Sequence, residues 1–225
     1  MLRRVLIAVA VLLVLLIGAD RVGVYVAERV AADKLEQSQH LDSKPEVDIA
    51  GFPFLTQVAS GDYEQITVDA KDVSAGAAAR LLQIAHLHVV LHGVHVSDSF
   101  SRVETDRAVA SAHLDYSELS KVLGATVAYA GNGQVKATAS VTVLGRKVSG
   151  TVTARPELHG TSLGFGSAQG AGGLAAEVLR ALQKAFAIEI PLSGIPFQVR
   201  VDSLSAGASG IDLKLSGHHL IYVKR

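Results

Sequence analysis

The chain has 225 residues, no cysteine and no tryptophan, and its 21 basic side chains balance 21 acidic ones. Zero net charge excludes a global field that would draw it to nucleic acid or to an anionic surface. The lack of cysteine excludes disulfide scaffolds, thiolate metal sites, cysteine nucleophiles and an N-terminal lipid-modified cysteine, and it permits export to an oxidising compartment.

Arg3 and Arg4 precede an unbroken apolar run, Val5 to Ala19, which ends at Asp20-Arg21. Basic residues on the near flank place the N-terminus in the cytoplasm and the rest of the chain on the extracytoplasmic, periplasmic side. As a helix the run spans only about 22 Å, short of a ~30 Å hydrocarbon core. It therefore lies between a signal-peptide core and a short anchor. Ile17-Gly18-Ala19 lacks a small residue at its first position, and Val30-Ala31-Ala32 lies beyond Asp20, Arg21, Glu28 and Arg29. Both are poor cleavage sites, so residues 1–21 read as an uncleaved signal anchor in preference to a removed peptide. Val22 to Val26 extends the membrane segment if Asp20 and Arg21 are accommodated at some cost. Over residues 22–40, Val22, Val26 and Val30 recur at helical spacing, which predicts an amphipathic stalk. The polar stretch Ser38 to Pro45 marks the boundary to a domain over 41–225.

Gly51-Phe52-Pro53-Phe54-Leu55-Thr56-Gln57 is an apolar knot in a region of alternating polarity. Pro53 disfavours a helix at Phe52, so the segment is expected to be extended, with Phe52 and Phe54 side by side on one face. A turn is expected at Ser60-Gly61-Asp62, then a half-buried strand through Ile66, Val68 and Ala70. Gly194-Ile195-Pro196-Phe197 echoes the knot before a second hairpin: Phe197, Val199 and Val201, a turn from Ser205 to Gly210, then Ile211, Leu213 and Leu215. Each knot is either a core corner or a place of ligand contact.

Between the knots, Ala-rich Val73 to Gln83 suggests a short helix, His86 to Val96 a strand with Leu87, Val89 and Leu91 on one face, and Ala108 to Leu114 another strand. Asp115 or Ser117 can cap a helix that Gly124 ends. Asn132-Gly133 announces a hairpin into a strand whose apolar positions are Val135, Ala137, Ala139, Val141 and Val143. A second tight turn at Gly145-Arg146 returns the chain through Val148, Val152 and Ala154, making three antiparallel strands with one dry face. Gly160 to Gly173 reads as a mobile glycine-rich connection. A helix from Leu174 to Ile188 follows, with Leu174, Val178, Leu182 and Phe186 on one face, and Pro191 stops it. Leu220 to Val223 is a last short strand. The class is α+β: a curved, mainly antiparallel sheet of hairpins wrapped around an amphipathic helix, behind an N-terminal membrane helix.

Little here asks for chemistry. Gly160-Thr161-Ser162-Leu163-Gly164 matches a nucleophile elbow, but Pro156 precedes it and no helix follows it directly, so a serine hydrolase is disfavoured. His86, His88 and His92 share a strand face with His95 nearby, yet His86 and His92 stand about 20 Å apart, too far for one ion with ~2 Å bonds. A His-rich solvent face is the simpler reading. Neither a phosphate-cradling loop nor a basic strip with interleaved aromatics appears. The expectation is a non-enzymatic protein with no cofactor and no metal.

The stretch Val47-Asp48-Ile49-Ala50-Gly51-Phe52-Pro53-Phe54-Leu55-Thr56-Gln57, with Gly61, Tyr63 and the strand to Val73, resembles the LmeA-like family, phospholipid-binding proteins of actinobacterial cell envelopes. The resemblance continues through the N-terminal anchor, the central hairpins, Ile190-Pro191 and Gly194-Ile195-Pro196-Phe197, and so covers most of the chain. It implies a tubular lipid-binding-like fold with an apolar groove, and an exported, membrane-anchored carrier whose partners are phospholipid and membrane. By analogy it also implies carrying or presenting lipid for the synthesis of mannose-containing envelope glycolipids. Phe52, Phe54, Leu174, Val178, Leu182, Phe186 and Phe197 are the residues expected to line the groove. The competing reading is a structural or partner-binding envelope domain with a filled core, assisting a membrane glycosyltransferase.

Overall fold

Alternating apolar and polar side chains build most of this molecule as strands, and a single apolar run builds its longest helix. The computed structural model describes residues 2–39, 41–77, 80–97, 102–143, 146–170, 180, 186–187, 189–192, 195 and 199–223. Helix α1 (Leu2–Gln39) is followed by β1 (Glu46–Ala50), the short α2 (Phe54–Ser60), β2 (Asp62–Ala77), β3 (Arg80–Ser97), β4 (Arg102–Asp115) and α3 (Tyr116–Leu123). Then come β5 (Thr126–Gly131), β6 (Gln134–Val143), β7 (Arg146–Ala154), β8 (Pro156–His159), β9 (Ser162–Phe165) and β10 (Gln169–Gly170). The described chain ends with β11 (Ile190–Pro191), β12 (Arg200–Ala206) and β13 (Gly210–Val223). The fold is α+β, with curved, mostly antiparallel sheet that closes no barrel among the described residues.

Three sheets form. One has the order β1-β2-β3-β4-β13-β12, a second β10-β7-β6-β5 and a third β11-β9-β8. The chain divides into two compact units.

The first unit comprises residues 1–70, 89–108 and 218–225. Helix α1 is long and apolar enough to cross a membrane, and its first half exposes Val5, Leu12, Val14, Leu15 and Ile17. The helix does not break at Asp20; it continues to Gln39 and there packs beside β1 and α2. Strand β1 pairs antiparallel with β2 from Glu46↔Asp69 to Ala50↔Gln65, which sends Val47, Ile49, Val68 and Ala70 inward.

The second unit comprises residues 71–88 and 109–217. Its clearest local element is the β5–β6 hairpin, turned at Asn132 and Gly133, both with positive φ. Across β6 and β7 the register runs from Val135↔Ala154 to Val143↔Arg146. Val127, Val135, Ala137, Val152 and Ala154 are buried on one face, and on the other the hydroxyls of Thr138 and Thr151, and of Ser140 and Ser149, lie 2.8 Å apart. The expected turn residue Gly145 lies outside the described residues. Helix α3 starts after Asp115, whose side chain makes no capping hydrogen bond, and ends as expected at Gly124 in the left-handed region.

Three expectations about these elements are overturned. Within Val73 to Gln83 the described residues, 73–77 and 80–83, are strand and not helix, the ends of β2 and β3, and Val73, Ala75, Leu82 and Ile84 are buried in alternation. The helix preference of alanine is worth well under ~1 kcal/mol per residue, so pairing with neighbouring strands outweighs it. Residues 160–170 are not an open connection either. They close the β8–β9 hairpin, His159 opposite Ser162, and bury Leu163 and Phe165 amid the glycines. The tail from Leu220 is the continuation of β13, not a separate strand. Of the expected helix 174–188, Arg180 and Phe186 are helical, and the remainder, apart from Ala187, lies outside the described residues, as do Leu174, Val178, Leu182 and Phe197.

Candidate functional site

The first apolar knot takes a shape that its proline does not announce. The Phe52–Pro53 peptide is cis, and α2 begins directly at Phe54, with Pro53 as its extended N-cap. Proline suits the start of a helix because the amides there lack intrahelical acceptors. Phe52 and Phe54 are therefore not side by side. Phe52 is 64% exposed, whereas Phe54 is 4% exposed and buried. The Phe54 ring packs against Tyr63, with centroids 6.3 Å apart, and lies over Gly23 of α1. Burial pushes the Tyr63 phenol above its usual pKa.

Polar groups from distant parts of the chain hold this turn in place. Asp20, itself buried at the end of the apolar run, accepts from the Leu55 amide at 2.9 Å and pairs with Arg21 at 2.6 Å. Glu28 accepts from the Ile49 amide at 3.0 Å. Gln57 works at both ends of its amide: Nε2 donates to the Ala50 carbonyl at 3.3 Å, and Oε1 accepts from Glu64 N at 3.0 Å. Gly51 (φ 107°) makes room for that amide, since a methyl group there would fall 2.5 Å from Gln57 Nε2. Gly61 ends α2 at φ 77°, donates to the Gln57 carbonyl and accepts from Val96 N, both at 2.8 Å. The guanidinium of Arg21 sits 5.3 Å from the centroid of the Phe52 ring.

Sequence reasoning missed Asp20, Gly23 and Glu28 as members of the corner. The one available signal was Asp20 itself, a carboxylate placed where an apolar run stops, which is costly unless something neutralises it.

Beside the corner lies an open hollow of about 300 Å³, lined by Phe52, Pro53, Thr56, Gln57, Asp62, Tyr63 and Glu64. Its size is at the lower end for a small-molecule site. It carries two carboxylates and no cationic side chain, so it suits a hydroxyl or amine better than a phosphate. Asp62 also meets His95 Nδ1 at 2.6 Å.

In the second unit Phe186 is buried and meets Phe165 edge to face, with centroids 4.8 Å apart. Leu163, Ile190, Leu192 and Ile195 are buried in the same unit. Tyr116 donates to the Gly207 carbonyl at 2.6 Å. Burial, then the nearness of Tyr129 and Asp212, pushes the Tyr116 phenol up to about 12.

The other candidate chemistry does not assemble. Ser162 sits on a β-hairpin instead of a strand-to-helix elbow, and its cross-strand neighbour His159 meets Glu189 at 3.3 Å. Among the described residues no group of His, Asp and Glu could hold a metal ion.

The family described as LmeA-like phospholipid-binding matches residues 18–216, and the chain belongs to that family. No curated protein and no solved structure matches it.

Proposed function

We propose that this member of the LmeA-like phospholipid-binding family is an exported, membrane-anchored protein of the cell envelope that carries or presents phospholipid. The observation that carries the reading is the family match, which begins at residue 18 and so takes in the end of the apolar run as well as the sheets. Helix α1 supports the anchor, being apolar and exposed up to Ile17 with Arg3 and Arg4 on its near flank. The basic flank favours an extracytoplasmic domain.

The acyl-chain groove is assigned to the second unit. There Leu174, Val178, Leu182 and Phe186 recur on one helical face in the sequence, with Phe197 shortly after, and Phe186 is held by Phe165. Acyl chains buried on such a face would contribute about 0.8 kcal/mol per methylene. Phe52 and Phe54 are assigned to the α1 corner instead. The lipid would be supplied for envelope glycolipid (mannan) synthesis, with a membrane glycosyltransferase as the receiving partner.

The test is native mass spectrometry with organic extraction of residues 20–225, purified without detergent; starting at Asp20 keeps its contact with Leu55. The expected result is stoichiometric phospholipid that leaves with the protein. A folded chain that arrives empty and takes up no added phospholipid would overturn the carrier reading in favour of a partner-binding domain with a filled core.

A further inference from the structure

Within the first unit, the apolar run of α1 is too short for its task. Val5 to Ala19 covers about 22 Å of a ~30 Å hydrocarbon core, and the next residue is a carboxylate. The corner around α2 removes both difficulties. Asp20 is buried to 2% exposure, neutralised by Arg21 and bonded to the Leu55 amide, so its charge does not face the surroundings. Because that bond fixes the first turn of α2 at the level of Asp20, the exposed side chains of the corner start where the apolar run stops. These are Phe52 (64% exposed), Leu55 (43%) and Val58 (42%). On α1 itself Val22, Tyr25 and Val26 are also exposed.

Two arginines flank this surface, each on an aromatic face. Arg21 stands over Phe52 at 5.3 Å and Arg29 over Tyr25 at 4.2 Å. Aromatic rings beside long cationic side chains are the pairing found where hydrocarbon gives way to headgroups. From Ala19 to Tyr25 the helix rises about 9 Å, close to the shortfall of the run.

We propose that the corner formed by Phe52, Leu55 and Val58, together with Val22, Tyr25 and Val26, is a membrane-interface surface that completes the span begun by α1. Its occupant is the phospholipid of the outer leaflet, and Arg21 and Arg29 reach the phosphates. The proposal rests on the anchored reading above. It holds the domain close against the bilayer, with the hollow beside Phe52 at headgroup level.

The chain has no native tryptophan, so single reporters can be placed in the full-length protein. Phe52→Trp, Val58→Trp and Ile17→Trp are each reconstituted in phosphatidylcholine/phosphatidylglycerol vesicles. Emission is then read with bromine near the carboxyl end of the acyl chains, with bromine near the methyl end, and with aqueous acrylamide. The expected result is loss of emission to bromolipid in all three, with shallow bromine the more effective at positions 52 and 58. Quenching at 17 but only acrylamide quenching at 52 and 58 overturns the interface surface and leaves the anchor standing. Protection from both quenchers at 52 and 58 means a protein, such as a second copy, covers the surface, and this also overturns the proposal. No bromolipid quenching at 17 removes the anchor and the proposal with it.

Discussion

The Asp20 carboxylate accepts a hydrogen bond from the Leu55 amide at 2.9 Å across 35 positions of chain, which ties the end of the apolar run to the first turn of α2. A helix of seven residues with no side-chain cap of its own depends on such a partner, because its first amides have no intrahelical acceptor. Asp20→Ala is expected to speed amide exchange across residues 53–61 and leave the β6–β7 hairpin unchanged. Asp20→Asn keeps an acceptor oxygen and should restore much of the protection. Hydrogen exchange read by mass spectrometry checks this, and unaltered exchange in Asp20→Ala would show that the bond does not hold the corner.

The strands were legible in the sequence wherever one face is dry. Val135 and Ala137 alternate with polar residues, Leu87 and Val89 stand on either side of His88, and both pairs are buried as the period predicts. The corner was not legible, for a physical reason. Local rules place Pro53 in an extended segment, whereas the helical turn that follows is held by Asp20 and, through its own Gln57, by Ala50 and Glu64, contacts that no local pattern reveals. Ala-rich Val73 to Gln83 misled in the same manner, since weak local preference yields to strand pairing. Leu163 and Phe165 were hidden because glycines separate them from any longer alternation.

Gly61 is expected to tolerate no side chain. It sits at φ 77°, and a methyl group there would fall 2.5 Å from the Val96 carbonyl oxygen, a backbone atom that cannot swing aside. Gly61→Ala should cost at least about 1–2 kcal/mol from the left-handed conformation alone. In a chain of this size that lowers Tm by roughly 2–8 °C. Gly133→Ala is the control: its φ is 71°, but nothing lies within 4 Å, so it should show only the conformational part. Thermal unfolding of the two variants side by side separates strain from collision, and equal losses would exclude the collision.

Tyr116 makes the second unit sensitive to alkali. Its phenol titrates near 10 when exposed and is pushed up to about 12 in the fold, chiefly by burial. The folded state thus binds this proton more tightly than the unfolded state. The corresponding stability is fully present below pH 10 and is lost as pH rises from about 10 to about 12. Tyr116→Phe should be less stable at neutral pH by about 0.5–1.5 kcal/mol, having lost its hydrogen bond to Gly207. It should also lose less stability than the native chain over the alkaline range. Denaturant titrations at pH 8 and at pH 11 are on the order needed to see it. An unchanged alkaline slope in the variant would assign the effect to other groups.

Phe186→Ala tests the packed role of this ring, and Val178→Asp the lipid-facing one. The ring is 5% exposed and meets Phe165 at 4.8 Å, so truncation should cost about 3–5 kcal/mol as a core change. Val178→Asp lies on the same expected helical face, and under the proposed function it should reduce phospholipid retention in a chain that still folds. Lipid extracted per mole of protein is the measurement, and full retention in folded Val178→Asp would move the groove elsewhere.

Gly23 sets how closely α2 approaches α1. A methyl group added there would lie 3.4 Å from Phe54 Cδ1 and 3.6 Å from Leu55 Cδ2, which is ordinary contact and not collision. Alanine also gains about 0.8–1.0 kcal/mol over glycine inside a helix. Gly23→Ala is therefore expected to stabilise the first unit or leave it unchanged, with the corner still docked. Gly23→Leu brings branched atoms into the space of a Phe54 ring that is 4% exposed, and overpacking of that kind costs about 1–3 kcal/mol. Since the Leu55 amide is bonded to Asp20 on the same helix, α2 cannot shift away from Gly23 without lengthening that bond. Exchange across residues 53–61 should therefore rise in Gly23→Leu as it does in Asp20→Ala, and combining the two changes should add little. Fully additive exchange in the double variant would mean that the aromatic contact and the carboxylate hold the corner independently.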